Sequence, residues 1–371
     1  MLRKLSLPLL IVTLSALILP TVSAGAQEDI QALTHYALLV YSSPDRTSPI
    51  AGVLNPHAEV ILEARSADTA WVLGHGAEAN VRGWIESRYL DLAPGSSVAM
   101  LLVSNEAMFV PALASSTAAY STIDLRAYPI IPINLGRARQ IYDLGRARGM
   151  TPETVAKVGD CISDNQYFLS PFGWKTYYLA NYSYLQSVID YFSASLADDS
   201  LAAFDGLVTT AVLDPMFANP LACLPGETPL QCEYRVHKPG VAIIMFGAQD
   251  LLFTPPEQFD LNLRHIVHET IQAGVIPVLS TFPGNLKQWD QSIQYNQIVV
   301  QVALDYQIPL MNLWLALEGL PNHGLSEDGR HPSAPITEAG DLSPANLQRG
   351  YPLRNLVTLQ TLDAVWRGAM Y

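Results

Sequence analysis

Val241-Ala-Ile-Ile-Met-Phe246-Gly247-Ala-Gln249-Asp250 is an unbroken apolar run that stops on a glycine and then turns polar. Six consecutive apolar residues leave no polar face, so the run reads as a strand buried on both sides, the pattern of a parallel sheet. Downstream, a helix-length segment over 259–273 leads to a second apolar strand, Val275-Ile-Pro-Val-Leu-Ser-Thr281, and another over 289–306 leads to a third, Ile308-Pro-Leu-Met-Asn-Leu313. Upstream, Val155-Ala-Lys-Val-Gly159 is a further strand and 184–196 a helix. Strands alternating with helix-length segments imply right-handed crossovers and a parallel sheet, so the expected fold class is α/β.

Two motifs sit at the edges of this pattern. Gly159-Asp160-Cys161 ends the first strand, and Asp328-Gly329-Arg330-His331-Pro332 lies near the C-terminus. An Asp three residues before a His on one loop can hold the imidazole in the tautomer that a general base needs, while a thiol on a strand-to-helix turn is a candidate nucleophile. With the Gly247-Ala-Gln249-Asp250 turn between them, the three blocks resemble those of the SGNH/GDSL hydrolases: Gly-Asp-Ser first, Gly-x-Asn-Asp third and Asp-x-x-His last. The resemblance covers roughly residues 151–371. It implies a flavodoxin-like three-layer α/β/α sandwich with its site at the carboxyl ends of the parallel strands.

The same resemblance implies an ester hydrolase with Cys161 as nucleophile, His331 as base and Asp328 as its orienting acid; no Gly-rich phosphate loop, heme motif or dinucleotide fingerprint occurs, so no cofactor is expected. The oxyanion donors would be Gly206, in Phe204-Asp205-Gly206, and Gln249. Two positions depart from the family: Cys161 stands where it has serine, and Gln249 where it has asparagine. Beside a histidine and a helix N-terminus the thiol is expected to ionise more easily than usual. The extra methylene of Gln249 either adapts the oxyanion site to sulfur or marks its loss. Asp160 and Asp250 are read as loop-tying caps, and Ser163 as pointing away from the nucleophile position.

Residues 31–93 read as short strands separated by turns, with Trp71-Val-Leu-Gly74, Gly83-Trp84-Ile85 and Tyr89-Leu90 as the clearest elements. They resemble a bacterial SH3-like (SH3b) domain, a small all-β barrel that in exported proteins binds cell-wall peptide or glycan. Trp71 and Trp84 are expected in its core, a ligand-stacking surface being the alternative. Residues 94–150 form a connector ending in a basic amphipathic helix over 137–149, whose arginines read as a solvated face.

The start, with Arg3 and Lys4 before an apolar stretch and small residues at Val22-Ser23-Ala24 and Ala24-Gly25-Ala26, reads as a secretory signal peptide over 1–26, a retained membrane anchor being the alternative. No later run is long enough to span a bilayer. The chain of 371 residues holds 21 basic and 34 acidic residues, a net charge of −13 that opposes nucleic acid and anionic lipid as partners.

Three cysteines in an exported chain leave one unpaired. Cys223 and Cys232 bracket a turn-rich loop and are the expected disulfide, leaving Cys161 free; pairing of Cys161 with either of them would remove the nucleophile. His265, His268 and Glu269 lack the His-Glu-x-x-His order of a zinc site, so no metal is expected. The expected function is an exported, cell-envelope ester hydrolase whose partners are an acyl or acetyl ester and, through the barrel, wall peptide or glycan. The alternative is a catalytically silent fold that binds envelope glycan.

Overall fold

A computed structural model of the chain describes residues 30–48, 50–77, 81–106 and 122–371. The signal peptide expected over 1–26, and residues 107–121 of the expected connector, lie outside the described residues. The chain divides into two compact units, a smaller one running through Val40 and over Gly52–Asn105, and a larger one comprising Tyr41–Ala51 and Glu106–Tyr371.

Seven N-terminal strands, β1 (Ile30–Thr34), β2 (Leu38–Tyr41), β3 (Ile50–Leu54), β4 (Glu59–Arg65), β5 (Trp71–Gly76), β6 (Arg82–Glu86) and β7 (Leu90–Leu92), form one sheet in the order β3-β2-β6-β5-β4-β1-β7. The pairings β1/β4, β1/β7, β4/β5 and β5/β6 are antiparallel. Burial alternates along β1 and β4, as expected of strands with one covered face. Trp84 is wholly buried and Trp71 half-buried, so Trp84 is core. Residues 35–37 separate β1 from β2. Thr34 ends the first by donating its hydroxyl to the Asn55 carbonyl, 2.7 Å away.

The larger unit contains α1 (Ala138–Ala147), β8 (Thr151–Gly159), α2 (Cys161–Asp164), α3 (Ser170–Gly173), β9 (Tyr177–Tyr178), α4 (Gln186–Phe192), α5 (Thr209–Val212), α6 (Pro229–His237), β10 (Pro239–Met245), α7 (Asp250–Phe253), α8 (Pro256–Ala273), β11 (Ile276–Ser280), α9 (Trp289–Tyr306), β12 (Leu310–Met311), α10 (Leu313–Glu318), β13 (Gly340–Asp341) and α11 (Gly350–Val365). Strands β12-β11-β10-β8 pair in parallel. On the free side of β8, Gly159 makes one further parallel bridge to Ala203. Numbered along the chain this is the order 2-1-3-4-5 of flavodoxin-like sheets, with its second strand reduced to a single bridge.

Every residue of β10 and β11 is buried, so both sheet faces are covered. The helices fall into two mutually packed sets, α5, α6, α8 and α9 in one, α4, α10 and α11 in the other. Neighbours Ile243 and Ile244 point to opposite faces, and burying each contributes about 1.5 to 3 kcal/mol. Helix α1, within the expected connector, buries Ala138 and Ile141 in this same core while Arg139 stays exposed and pairs with Asp143. The helix expected over 184–196 is shorter, a 3-10 segment at Ala180–Leu185 leading into α4.

Candidate active site

The site is built where the chain leaves β8 and β10. Gly159 ends β8 and Gly247 lies two residues beyond β10, and neither position has room for a side chain. A Cβ on Gly159 would lie 2.3 Å from the Met245 carbonyl oxygen, and one on Gly247, whose φ is +126°, 2.2 Å from the Phe282 ring. Asp160 then caps the turn by accepting the Ile162 amide at 3.0 Å, which makes Cys161 the first residue of α2 at the carboxyl edge of the sheet. That edge, between β8 and β10 where the strand order reverses, is the crevice in which open α/β sheets bind ligands.

The histidine arrives from the loop before α11. One Asp328 carboxylate oxygen accepts the Ser326 hydroxyl (2.7 Å) and the amides of Arg330 (2.9 Å) and His331 (3.0 Å). The other lies 2.6 Å from His331 Nδ1. The loop closes on itself as Ser326 donates its amide to the His331 carbonyl at 2.8 Å. With Nδ1–H given to the carboxylate, Nε2 is the accepting nitrogen, and it faces Cys161 Sγ at 3.3 Å. Cys161, His331 and Asp328 therefore form one continuous relay.

Burial pushes the Asp328 carboxyl up, but the hydrogen bonds from His331, Arg330 and Ser326 outweigh it and hold the group well below the usual carboxylate range. Cys161 behaves in the opposite way. Burial, reinforced by the charges of Asp160 and Asp205, pushes its thiol up to about 12, and Arg330 and the Ile162 amide offset only part of this. The sequence expectation of a thiol with lowered pKa is thus corrected: low exposure and two neighbouring acids outweigh the histidine loop. These influences favour the neutral thiol, whose Sγ faces His331 Nε2 at 3.3 Å.

Under Cys161 lies a buried polar layer. Asp160 is raised to about 6 by burial, and Asp250 adds to the rise. Asp250 is itself raised by burial although it accepts the Thr209 amide (3.0 Å) and hydroxyl (2.6 Å). One oxygen of each acid has no hydrogen-bond partner among the described residues.

Arg354, wholly buried on α11, donates to the Ile162 carbonyl and to Ser163 Oγ (3.1 Å), and its guanidinium lies 3.5 Å from the centre of the Phe168 ring. Burial lowers its pKa to about 10. Its neighbour Asn355 ties Leu169, Tyr167 and Ala339 together through three bonds of 2.7 to 3.0 Å. These two residues fix the nucleophile turn to the segment that follows His331. Neither was singled out from the sequence, although an Arg-Asn pair inside the apolar helix 350–365 breaks the burial pattern and signals a buried network.

Gly206 occupies an exposed turn just after the Ala203 bridge, with φ +79°, and the charge of adjacent Asp205 acts on Cys161. Gln249 is half-buried immediately before α7, its side-chain amide without a hydrogen-bond partner among the described residues. Both therefore lie at strand ends flanking β8. Ser163 is buried and engaged by Arg354.

Cys223 and Cys232 form a disulfide, leaving Cys161 as the free thiol. Glu227 lies close to both sulfurs, but a disulfide offers no thiolate to a metal. His265, His268 and Glu269 do not converge with a common ligand geometry among the described residues. No described helix is long and apolar enough to cross a membrane.

No family model matches the chain, and no curated protein does. Solved structures similar to it include a lipase/acylhydrolase from Enterococcus faecalis, 19% identical over 58% of this chain and 96% of that one, with a TM-score of 0.38. A psychrotrophic esterase from Pseudoalteromonas sp. is 17% identical over 58% and 100%, at 0.39. A catalytic mutant of an acetylxylan esterase from Geobacillus stearothermophilus is 16% identical over 58% and 96%, at 0.36. The α/β assignment rests on the strand order, and the chemistry on the site's own geometry.

Proposed function

We propose that the larger unit is an SGNH/GDSL-type ester hydrolase acting on acyl or acetyl esters through a thioester intermediate. The observation that carries this reading is the relay from Cys161 Sγ through His331 to Asp328, with contacts of 3.3 and 2.6 Å, at the carboxyl edge of a parallel sheet. In the acylation step Sγ bonds to the ester carbonyl carbon while its proton passes to His331 Nε2. The tetrahedral oxyanion collapses, the C–O bond breaks, and the alcohol leaves with that proton. Water, deprotonated by the same nitrogen, then attacks the thioester and releases the acid and the thiol. The sequence consumes only water.

In this reading the Gly206 amide and the Gln249 side chain serve the oxyanion. The free state of Cys161 supports an enzyme, because a disulfide there would have blocked it. The competing reading, a silent glycan-binding fold, is favoured by one observation, the thiol held up at about 12. Intact-mass analysis after mixing with a short-chain p-nitrophenyl ester tests the choice. An acyl adduct that maps to Cys161 and decays with turnover supports the hydrolase; an unmodified chain and no nitrophenol release support the binder.

The N-terminal residues and the disulfide support a further proposal, that the protein is exported to the cell envelope. There the antiparallel N-terminal strands would act as an SH3-like module for wall peptide or glycan. Binding of the full chain to purified wall material, against a chain lacking residues 30–105, tests the module.

A further inference from the structure

Strand β12 is the outer edge of the four-stranded parallel sheet, three strand spacings or about 14 Å from β8 and the nucleophile turn. Leu279 donates its amide to the Pro309 carbonyl at 3.1 Å and Thr281 to the Met311 carbonyl at 3.0 Å, so residues 309 and 311 face β11. By strand alternation the main chain at 308, 310 and 312 faces outward. Asn312 gives its amide to the Ile130 carbonyl at 2.9 Å, and Ile308 gives its own to the Ala303 carbonyl at 3.1 Å. Leu310 lies between them, and among the described residues its N–H and C=O have no hydrogen-bond partner.

The segment that covers this edge stands off at that point. It is held on one side by Asn312, whose side-chain amide also donates to the carbonyls of Leu125 (2.7 Å) and Tyr128 (3.0 Å). On the other side the Arg137 amide donates to the Gln307 carbonyl at 2.8 Å. Pro129 and Pro132 flank the Ile130 contact and carry no N–H, so neither can complete the ladder at the Leu310 carbonyl. A cavity of about 550 Å³ opens there, lined by Leu310, both prolines, Ile133, Leu304 and Ile308, and no charged residue lines it. Its size falls in the range of small-molecule sites, about 300 to 1,000 Å³, and Ile133 stands 87% exposed beside it.

We infer that this cavity binds a short apolar peptide in extended conformation, adding it to the sheet edge at Leu310. In an antiparallel hydrogen-bonded pair each residue offers its opposite both an N–H and a C=O, and Leu310 presents that pair. The ligand residue donates its N–H to the Leu310 carbonyl and accepts the Leu310 N–H, while its side chain meets the apolar walls. An amide-bearing ligand fits better than a purely apolar one, because an alkyl group there buries the Leu310 pair without partners. The uncharged lining disfavours a free peptide terminus, so the bound residue is internal or capped. This site does not depend on the hydrolase reading.

The test is a titration of the intact, methyl-labelled protein with N-acetyl-L-leucine methylamide, followed by nuclear magnetic resonance. Saturable shifts are expected at the methyl groups of Ile133, Leu304, Ile308 and Leu310. The same ligand methylated on the leucine nitrogen lacks the N–H and should bind about fivefold more weakly, the scale of one neutral hydrogen bond. Leu310→Pro removes the protein's donor without touching a bond to β11, as an edge strand tolerates, and should weaken binding about fivefold. Leu310→Ala keeps the N–H and should retain most of the affinity. Should the proline variant fail to fold, the methylated ligand makes the same test from the other side. Leu304→Trp fills the cavity and should abolish the shifts, while Cys161→Ala should bind as the native chain does. Absence of saturable shifts, equal affinity for both ligands, or full binding by Leu304→Trp overturns the proposal. So does loss of binding in Cys161→Ala, which would put the ligand in the catalytic crevice. Each result leaves the hydrolase reading as it stands, since nothing in the titration is turned over.

Discussion

Asp328 holds His331 from two directions, one carboxylate oxygen on the ring Nδ1 at 2.6 Å and the other on the backbone amide at 3.0 Å. The first bond fixes the tautomer and the second fixes the loop, so Asp328→Asn changes the proton on Nδ1 with little change in size. The expected outcome is a fall in kcat of about 10²- to 10³-fold with KM nearly constant, measured on a short-chain ester. Because the Asp328 carboxyl is held below its usual range, its stabilising bonds are present above the ordinary Asp pKa and weaken only as pH falls through its lower native value.

The thiol raised to about 12 makes a distinct prediction. Below that value the thiolate fraction rises about tenfold per pH unit, so alkylation of Cys161 by iodoacetamide should climb without a plateau from pH 7 to 10. A preformed thiolate–imidazolium pair would instead give a plateau near neutrality.

Asp160 is an acid whose native pKa lies above its unfolded one, raised from 3.8 to about 6. The folded state therefore binds this proton more tightly. Its contribution is fully present below the unfolded pKa and is lost as pH rises through about 6, a loss of about 3 kcal/mol. Asp160→Asn should flatten the fall in urea stability between pH 4 and 6.5, and Asp250, also raised, should leave a residual slope.

Much of this arrangement could be read from residues alone, and what could not was non-local. The apolar runs that became β8, β10 and β11 and the helices α8 and α9 were legible because their periodicity and length are local properties. Only the start of helix α6 fell within the turn-rich loop read between Cys223 and Cys232, and the helix itself went unread, although Thr228 and Gln231 form a capping box whose Thr-x-x-Gln spacing was visible. The second strand escaped because only Ala203 pairs. At the site, Cys161, His331 and Asp328 were marked by motif, but the sign of the thiol shift depends on Asp205 and on burial, which no spacing reveals.

Arg354 is the buried tie between α11 and the nucleophile turn. Arg354→Ala leaves the Ser163 hydroxyl and the Ile162 carbonyl unsatisfied and opens space beside Phe168, so a loss of about 3 kcal/mol in stability is expected by urea denaturation. Cys223→Ser with Cys232→Ser opens a short loop and should cost about 2 to 3 kcal/mol, with the Cys161 alkylation rate unaltered.

The most direct measurement is turnover of p-nitrophenyl acetate by the intact protein beside Cys161→Ala and His331→Ala, with circular dichroism to confirm folding. The account predicts release of nitrophenol above background by the native chain and its loss in both variants. Equal rates in all three folded proteins would contradict a Cys161–His331 hydrolase.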